Sequence, residues 1–178
     1  MSSRLPQKDL CRTPQSAPEV ILTSTSNRKI ASEMCSEISG WKAALQQIDD
    51  ERRIRDLLAR LSHMADRGTI DEYLDLWAPD GVWEGSMDTA CGHEQLRARI
   101  ERYRSRGIQG PGSGTRHVST TKFVDFVACD AAECHSYFMY FTQVNGEPHV
   151  TNVGRYEDRL IRINDQWKLA RRRIVLDD

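Results

Sequence analysis

Three residues of this chain could together form a site that removes a proton from carbon: His117 as the base, with Asp66 and Arg172 in supporting roles. His117 opens a run of long alternating segments, Asp66 lies at the end of the first helical segment, and Arg172 lies near the end of the last predicted strand. An imidazole titrates near neutral pH, and a carboxylate on its far nitrogen fixes which nitrogen faces a substrate. An arginine beside them can stabilise developing negative charge. The three form a site only if the fold brings them into one cavity.

The segments before His117 are predicted to be mainly helical. From Trp41 onwards apolar residues recur at helical spacing, and Gly68 ends that helix. Thr69 and Glu72 have the spacing of a capping box, so a second short helix is expected to run on towards Pro79. A short strand is predicted over residues 81–86 and a third helix over residues 92–106.

Four long strands are predicted after a glycine-rich loop at residues 107–114. They span residues 115–128, 131–144, 148–163 and 166–176, and short turn signals separate them. Strands this long exceed the usual length of about five or six residues, so the sheet must curl, and Gly154 is a candidate bend or bulge. The predicted fold is α+β: a cone-shaped barrel in which a highly curved antiparallel sheet and three N-terminal helices enclose a cavity.

Composition excludes several classes of protein. The 178 residues suggest one domain, and 25 basic against 26 acidic residues give no field that would attract nucleic acid or an anionic membrane. No apolar run approaches the roughly 18 residues that a membrane-spanning helix needs. The five cysteines are scattered and odd in number, which favours free thiols and argues against a zinc site. We therefore expect a cytoplasmic protein without a metal.

Residues 1–40 differ from the rest of the chain because Ser, Thr, Pro and Gln dominate them. They offer too little apolar surface to offset the entropy of ordering a chain, so a disordered N-terminal tail is expected. The folded domain is expected to cover residues 41–178. A targeting peptide is the alternative for the tail, but Asp9, Glu19 and the lack of an amphipathic stripe argue against it.

Three stretches carry a resemblance to a known family: LSHMADRGTIDEYLDLWAPDGVWEG, TRHVSTTKFVDF and YEDRLIRINDQWKLARRR. In order and spacing they resemble the SnoaL-like branch of the nuclear transport factor 2-like superfamily, over roughly residues 45–176. The branch includes lyases such as hexachlorocyclohexane dehydrochlorinase, scytalone dehydratase and a bile-acid dehydratase. It also includes polyketide cyclases, isomerases and non-catalytic small subunits of dioxygenases, so the fold alone does not fix a reaction.

The resemblance implies roles for the residues that opened the analysis. His117 would take a proton from carbon, Asp66 would hold its tautomer, and Arg172 would assist a leaving group or a carbonyl oxygen. The family's lyases often place a lysine or tyrosine five residues before the aspartate, where this chain has Leu61. The candidates that could replace that group or line the pocket are Tyr73, Trp83, Tyr137 and Tyr140, and Glu84 is a further candidate pocket residue.

The expected function is cofactor-independent chemistry on a small, hydrophobic, cyclic substrate. A lyase, an isomerase or a cyclase could each use the same base. The alternative is a non-catalytic ligand-binding protein, or one like a dioxygenase small subunit, which the missing basic group at Leu61 favours. We expect a homo-oligomer, a dimer or trimer, formed through the convex face of the sheet, and no cofactor, nucleic acid or membrane as a partner.

Overall fold

A computed structural model of the protein describes residues 24–176, and the chain divides into two compact units between Ala44 and Leu45. The elements in chain order are α1 (Ser24–Arg67), α2 (Ile70–Leu74), β1 (Trp77–Glu84), β2 (Thr89–Cys91), α3 (Gly92–Ser105), β3 (Arg116–Ala128), β4 (Ala131–Val144), β5 (Glu147–Ile163) and β6 (Gln166–Leu176). The second unit, from Leu45 onwards, has the predicted α+β fold.

The second unit contains one six-stranded sheet in the order β2-β1-β6-β5-β4-β3. The pairs β3–β4, β4–β5 and β5–β6 are antiparallel, as predicted, but β1 pairs with β6 in parallel. Register shifts interrupt the ladders at four places in these three antiparallel pairs. Because each bulge bends a strand and increases its twist, they allow such long strands to curl.

The hydrophobic core lies where α1, α3 and the concave face of the sheet meet. Its largest fully buried side chains come from the helices and from strands β1, β4, β5 and β6: Trp77, Ile54, Leu58, Leu61, Leu96, Leu160, Leu169 and Cys134. In α1 the buried residues recur every three or four positions, which is the periodicity that the sequence showed. This packing fixes the C-terminal end of α1 against the sheet, and Asp66 lies at that end.

The second helix begins as predicted and ends earlier than predicted. Thr69 and Glu72 form the full capping box, in which each side chain bonds the other residue's backbone N–H. The helix ends at Leu74, however, and Trp77 and Pro79 belong to strand β1. The backbone N–H of Leu169 in β6 donates to the carbonyl of Leu76 over 3.0 Å, so pairing with a distant strand replaces the next helical turn.

The four long strands match their predicted bounds within one residue at each end. Gly154 does not form a bulge, because Phe138 and Gly154 pair in a continuous stretch of the β4–β5 ladder. The bulge predicted there is therefore absent. Gly154 instead permits close approach: a Cβ atom would lie 3.0 Å from the Phe138 ring and closer still to the carbonyl oxygen of Val175.

Residues 24–40 are helical, where the sequence predicted no regular structure. The composition argument correctly indicated that this segment buries no core, since the described side chains from Asn27 to Trp41 are all exposed. It did not exclude a helix, because helical hydrogen bonds are local and Lys, Ala, Glu and Met favour them. Residues 1–23 lie outside the described residues. That residues 41–178 form the folded domain remains a prediction.

Two further predictions concern membranes and thiols. None of the helices within residues 24–176 combines the length and apolar character that crossing a bilayer requires. The four cysteines of the described chain, Cys35, Cys91, Cys129 and Cys134, are free thiols. Cys134 is buried, and burial raises the pKa of its thiol to about 12, so it is not a thiolate nucleophile near neutral pH.

Candidate active site

Asp66 is fixed by the way α1 ends. The N–H of Gly68 donates to the carbonyl of Met64 over 3.1 Å and closes the last turn. Arg104, from α3, donates through Nη2 to the carbonyls of Gly68 (2.9 Å) and Met64 (3.3 Å). A guanidinium at a helix C-terminus satisfies carbonyls that have no partner within the helix. Helix α3 therefore anchors the turn that carries the carboxylate.

His117 and Asp66 form a pair through two separate contacts. The ring Nδ1 of His117 lies 2.6 Å from Oδ1 of Asp66, and the backbone N–H of His117 donates to Oδ2 over 3.0 Å. Because an ionised carboxylate only accepts, Nδ1 carries the proton in the neutral ring. Nε2 is then the basic nitrogen, and it has no hydrogen bond to any residue between 24 and 176. The two side chains therefore lie within hydrogen-bond distance of each other, as predicted.

A cavity of about 230 Å³ opens beside His117. Its walls are mainly apolar and aromatic, with a few polar groups, as is typical of small-molecule sites. The apolar and aromatic lining comprises Leu61, Ala65, Tyr73, Trp83, Tyr103, Ile108, Phe138, Tyr140, Tyr156, Ile174 and Leu176. The polar lining comprises Ser62, Ser86, Arg99, Gln109, His117, Asn152 and Arg172.

Arg172 also lines this cavity and is held rigidly. Its Nε and Nη2 each donate to one carboxylate oxygen of Asp158, both over 2.7 Å. The guanidinium lies 3.9 Å above the ring centroid of Tyr156. Burial disfavours the charge, but the carboxylate of Asp158 outweighs burial and holds the pKa of Arg172 above its ordinary value. Arg172 therefore presents a permanent positive charge in a fixed orientation.

Two phenols in the cavity wall, Tyr73 partly buried and Tyr156 buried, complete the polar groups around His117 and Arg172. Burial raises the pKa of Tyr73 and of Tyr156, so both stay protonated near neutral pH and can act as hydrogen-bond donors. Tyr140 has another role: its ring packs against the His117 ring at a centroid distance of 4.7 Å, and its hydroxyl donates to the carbonyl of Ile108. Tyr140 thereby links the imidazole to the glycine-rich loop.

The structure places five of the eight predicted site residues in the cavity wall: His117, Arg172, Trp83, Tyr73 and Tyr140. Asp66 lies behind His117, as its proposed role requires. Glu84 and Tyr137 are not in the wall, which corrects both predictions. Each is the strand neighbour of a wall residue, Trp83 and Phe138 respectively, and adjacent side chains of a strand point to opposite faces. Glu84 is bound instead to Arg171 over 2.7 Å and 3.0 Å.

Sequence reasoning missed Asp158 and Arg99. Asp158 faces Arg172 across the β5–β6 ladder; the short turn between those strands indicated that they pair but not which residue lies opposite Arg172. Arg99 belongs to the arginine-rich helix α3, where nothing in the sequence distinguishes it from its neighbours. Within residues 24–176 no group of three His, Cys, Asp or Glu side chains is placed to hold a metal ion.

Comparison with known proteins identifies the family and the fold of this chain. A family model described as the SnoaL-like domain matches residues 46–173, which contain His117, Asp66 and Arg172. No curated protein sequence matches the chain significantly.

Several solved structures are similar. An NTF2-like protein with a cystatin-like fold from Novosphingobium aromaticivorans is 26% identical, with a TM-score of 0.72 over 79% of this chain and 90% of that one. A protein from the same organism assigned as a scytalone dehydratase is 19% identical, with a TM-score of 0.61 over 76% of this chain and 89% of that one. LinA is 15% identical, with a TM-score of 0.65 over 76% of this chain and 90% of that one. The last two show the fold alone.

Proposed function

Because this chain belongs to the SnoaL-like family, we propose that it is a cofactor-independent lyase, isomerase or cyclase that acts on a small, hydrophobic, cyclic substrate with His117 as its general base. The observation that carries the proposal is the 2.6 Å contact between Nδ1 of His117 and Asp66 beside an apolar cavity. The contact occupies Nδ1 and fixes the orientation of the ring, which leaves Nε2 available to a substrate.

In the proposed reaction, Nε2 of His117 takes a proton from a carbon next to an electron-withdrawing group. The electron pair of that C–H bond forms a new C=C bond. In an elimination this pair expels a leaving group from the neighbouring carbon. In an isomerisation it displaces the π electrons of a conjugated carbonyl onto its oxygen to give an enolate, and the imidazolium returns the proton at another carbon as the C=O bond forms again. Asp66 stabilises the imidazolium that forms, while the fixed charge of Arg172 stabilises negative charge on an oxygen or a leaving group.

Tyr73 is our candidate for the acid that replaces the basic group missing at Leu61. Leu61 is only 1% exposed and lines the same cavity as Tyr73. Because burial keeps the Tyr73 phenol protonated, it can donate a proton to a departing hydroxide or to an enolate oxygen.

Hydrogen exchange at carbon tests the base without requiring the natural leaving group. A panel of cyclic ketones, β-keto esters and halides is incubated with the protein in D₂O, and deuterium incorporation or elimination is followed by NMR. We expect His117→Ala and Asp66→Asn each to lose about 10²–10⁴-fold in rate. The double variant should be hardly slower than either single variant, because the two side chains act as one unit.

His149→Ala is the matched control, because that histidine is exposed on β5 and should leave the rate unchanged. A His117→Ala variant with the wild-type rate would rule out His117 as the base.

The second candidate function is ligand binding without turnover. A leucine at the position where related lyases use a basic or phenolic group favours it. Wild-type protein that binds members of the panel in the cavity but neither exchanges nor eliminates any of them would favour the binding function over the enzyme.

A further inference from the structure

Arg99 has a largely but not fully buried guanidinium with an incomplete counter-charge. Its side chain, on helix α3, is only 12% exposed. Among residues 24–176, the one carboxylate that pairs with it is Asp88, and Oδ1 of Asp88 lies 3.6 Å from its Nε, which is too long for a hydrogen bond. Oδ2 of Asp88 accepts from Arg102. One carboxylate is thus shared by two guanidinium groups, and the buried Nε of Arg99 has no partner in the part of the chain that the structure describes.

The guanidinium of Arg99 is also fixed in the cavity wall. It lies 3.2 Å from the ring centroid of Trp83 and 4.2 Å from that of Tyr103, so aromatic rings hold its orientation. Arg172, the other arginine of the wall, keeps its charge but has a full carboxylate partner, because its Nε and Nη2 both donate to Asp158. Of the two arginines in the cavity wall, Arg99 is therefore the one without a hydrogen-bonded carboxylate partner among the described residues.

Keeping a largely buried cation without a full partner costs desolvation free energy. That cost falls when a ligand supplies the missing negative charge. Burial lowers the pKa of Arg99, but a guanidinium remains charged at neutral pH. Arginine also matches the planar geometry of a carboxylate, which can accept two parallel hydrogen bonds. The cavity thus combines an apolar body, a base on β3 and an anion-binding group on α3.

We infer that Arg99 recognises a carboxylate on the ligand, so the cavity takes small cyclic or aromatic carboxylic acids. That the carboxylic acid is the substrate rests on the proposed function. That it binds in the cavity does not depend on the proposed function. A carboxylate held by Arg99 would orient the ring of the ligand in the cavity and limit which carbon His117 can reach. Arg99 would then determine specificity without taking part in proton transfer.

Direct binding of two matched probes tests the inference. The dissociation constants of naphthoate and of its neutral amide, naphthamide, are measured by calorimetry at neutral pH and low salt. Wild-type protein should bind naphthoate about tenfold more tightly than naphthamide, the effect of one hydrogen-bonded charge. Arg99→Gln should remove this preference and leave the affinity for naphthamide nearly unchanged. If that variant does not fold, Arg99→Met, which keeps a long side chain between the two rings, replaces it.

Arg97→Gln is the matched control: it makes the same substitution on the same helix, at an arginine that pairs with Asp71 and does not line the cavity. It should keep the preference for naphthoate. The assay measures binding and needs no turnover, so failure of His117 as the base and failure of this inference give different results. Equal affinity of the wild-type protein for the two probes, or a preference that survives in a folded Arg99 variant, would overturn the inference.

Discussion

Adjacent arginines on β6 show how burial determines the role of a charge. Arg171 is half exposed and pairs with Glu84 at the surface. Arg172 is buried, and its partner Asp158 is fully buried. Both guanidinium groups make two hydrogen bonds to one carboxylate, so their geometry is nearly the same. The difference lies in the solvent, which screens the first pair and is excluded from the second.

We predict that Asp158→Ala destabilises the protein by about 3–5 kcal/mol, because it leaves the guanidinium of Arg172 buried without a partner. Glu84→Ala is the matched control on the neighbouring pair, and it should cost about 1 kcal/mol or less. Chemical denaturation followed by tryptophan fluorescence measures both free energies of unfolding. Equal losses in the two variants would contradict a special role for the buried pair.

At the scale of elements, the close contact between β5 and its neighbouring strands depends on a glycine, Gly154, which has no side chain. Gly154 is buried between Phe138 on β4 and the Val175–Leu176 backbone on β6. Next to it, the rings of Phe138 and Tyr156 stack at 4.4 Å with an interplanar angle of 10°. Both rings line the cavity. The approach of three strands at Gly154 therefore shapes the cavity wall as well as the sheet.

Gly154→Ala is expected to cost about 2–3 kcal/mol in free energy of unfolding, because the added methyl group meets backbone atoms that cannot move aside. Gly40→Ala adds the same group on α1 with nothing within 4 Å. It should leave stability unchanged or raise it by up to about 1 kcal/mol, since alanine is the better helix former. Thermal denaturation followed by circular dichroism compares the two. A Gly154→Ala variant as stable as the wild type would show that the sheet adjusts at this point.

At the scale of the whole second unit, Asp50 joins elements that are far apart in the chain. Its carboxylate on α1 accepts from Nε1 of Trp167 on β6 over 2.9 Å and from Arg162 on β5. Gln46 donates to it from one helical turn away over 3.2 Å. Burial alone would raise the pKa of Asp50, but these hydrogen bonds outweigh burial and hold it below its ordinary value.

The lowered pKa of Asp50 sets the sign of a pH effect. A carboxylate whose pKa is lower in the folded state stabilises the protein above its unfolded pKa of about 4, and this contribution is lost as the pH falls through the folded value. Asp50→Asn should therefore lower the free energy of unfolding by about 2–3 kcal/mol at pH 7. The difference from the wild type should shrink steadily below about pH 4.

Urea unfolding at a series of pH values measures this difference. Asp56→Asn serves as the control, because that carboxylate is exposed on the same helix and its ion pair is with Arg60, one turn away. The control should stay close to the wild type throughout the series. A difference for Asp50→Asn that persists unchanged into strong acid would show that its effect comes from shape and not from charge.

The sequence alone determined the features that depend on local rules. Alternation and turn residues gave the four long strands, helical spacing gave the extent of α3 and, from Ile54 onwards, the buried face of α1, and Thr69 with Glu72 gave the start of α2. Leu45 and Ile48 have the same helical spacing but are exposed. The resemblance to a family then paired His117 with Asp66, which are 51 residues apart in the chain. Periodicity and capping involve only neighbouring residues, so one sequence is enough to reveal them.

Tertiary structure decided which side chains share the cavity. Ile163 pairs with Gln166 beside the last turn, and that register would set Asp158 opposite Arg171. A bulge at Ala170, between the Leu169 and Arg171 pairs, shifts the ladder by one residue and brings Arg172 opposite Asp158. Pairing with β6 likewise drew Trp77 into a strand. The free energy of such a pairing depends on contacts between residues that are distant in the chain. Local sequence patterns therefore do not predict it.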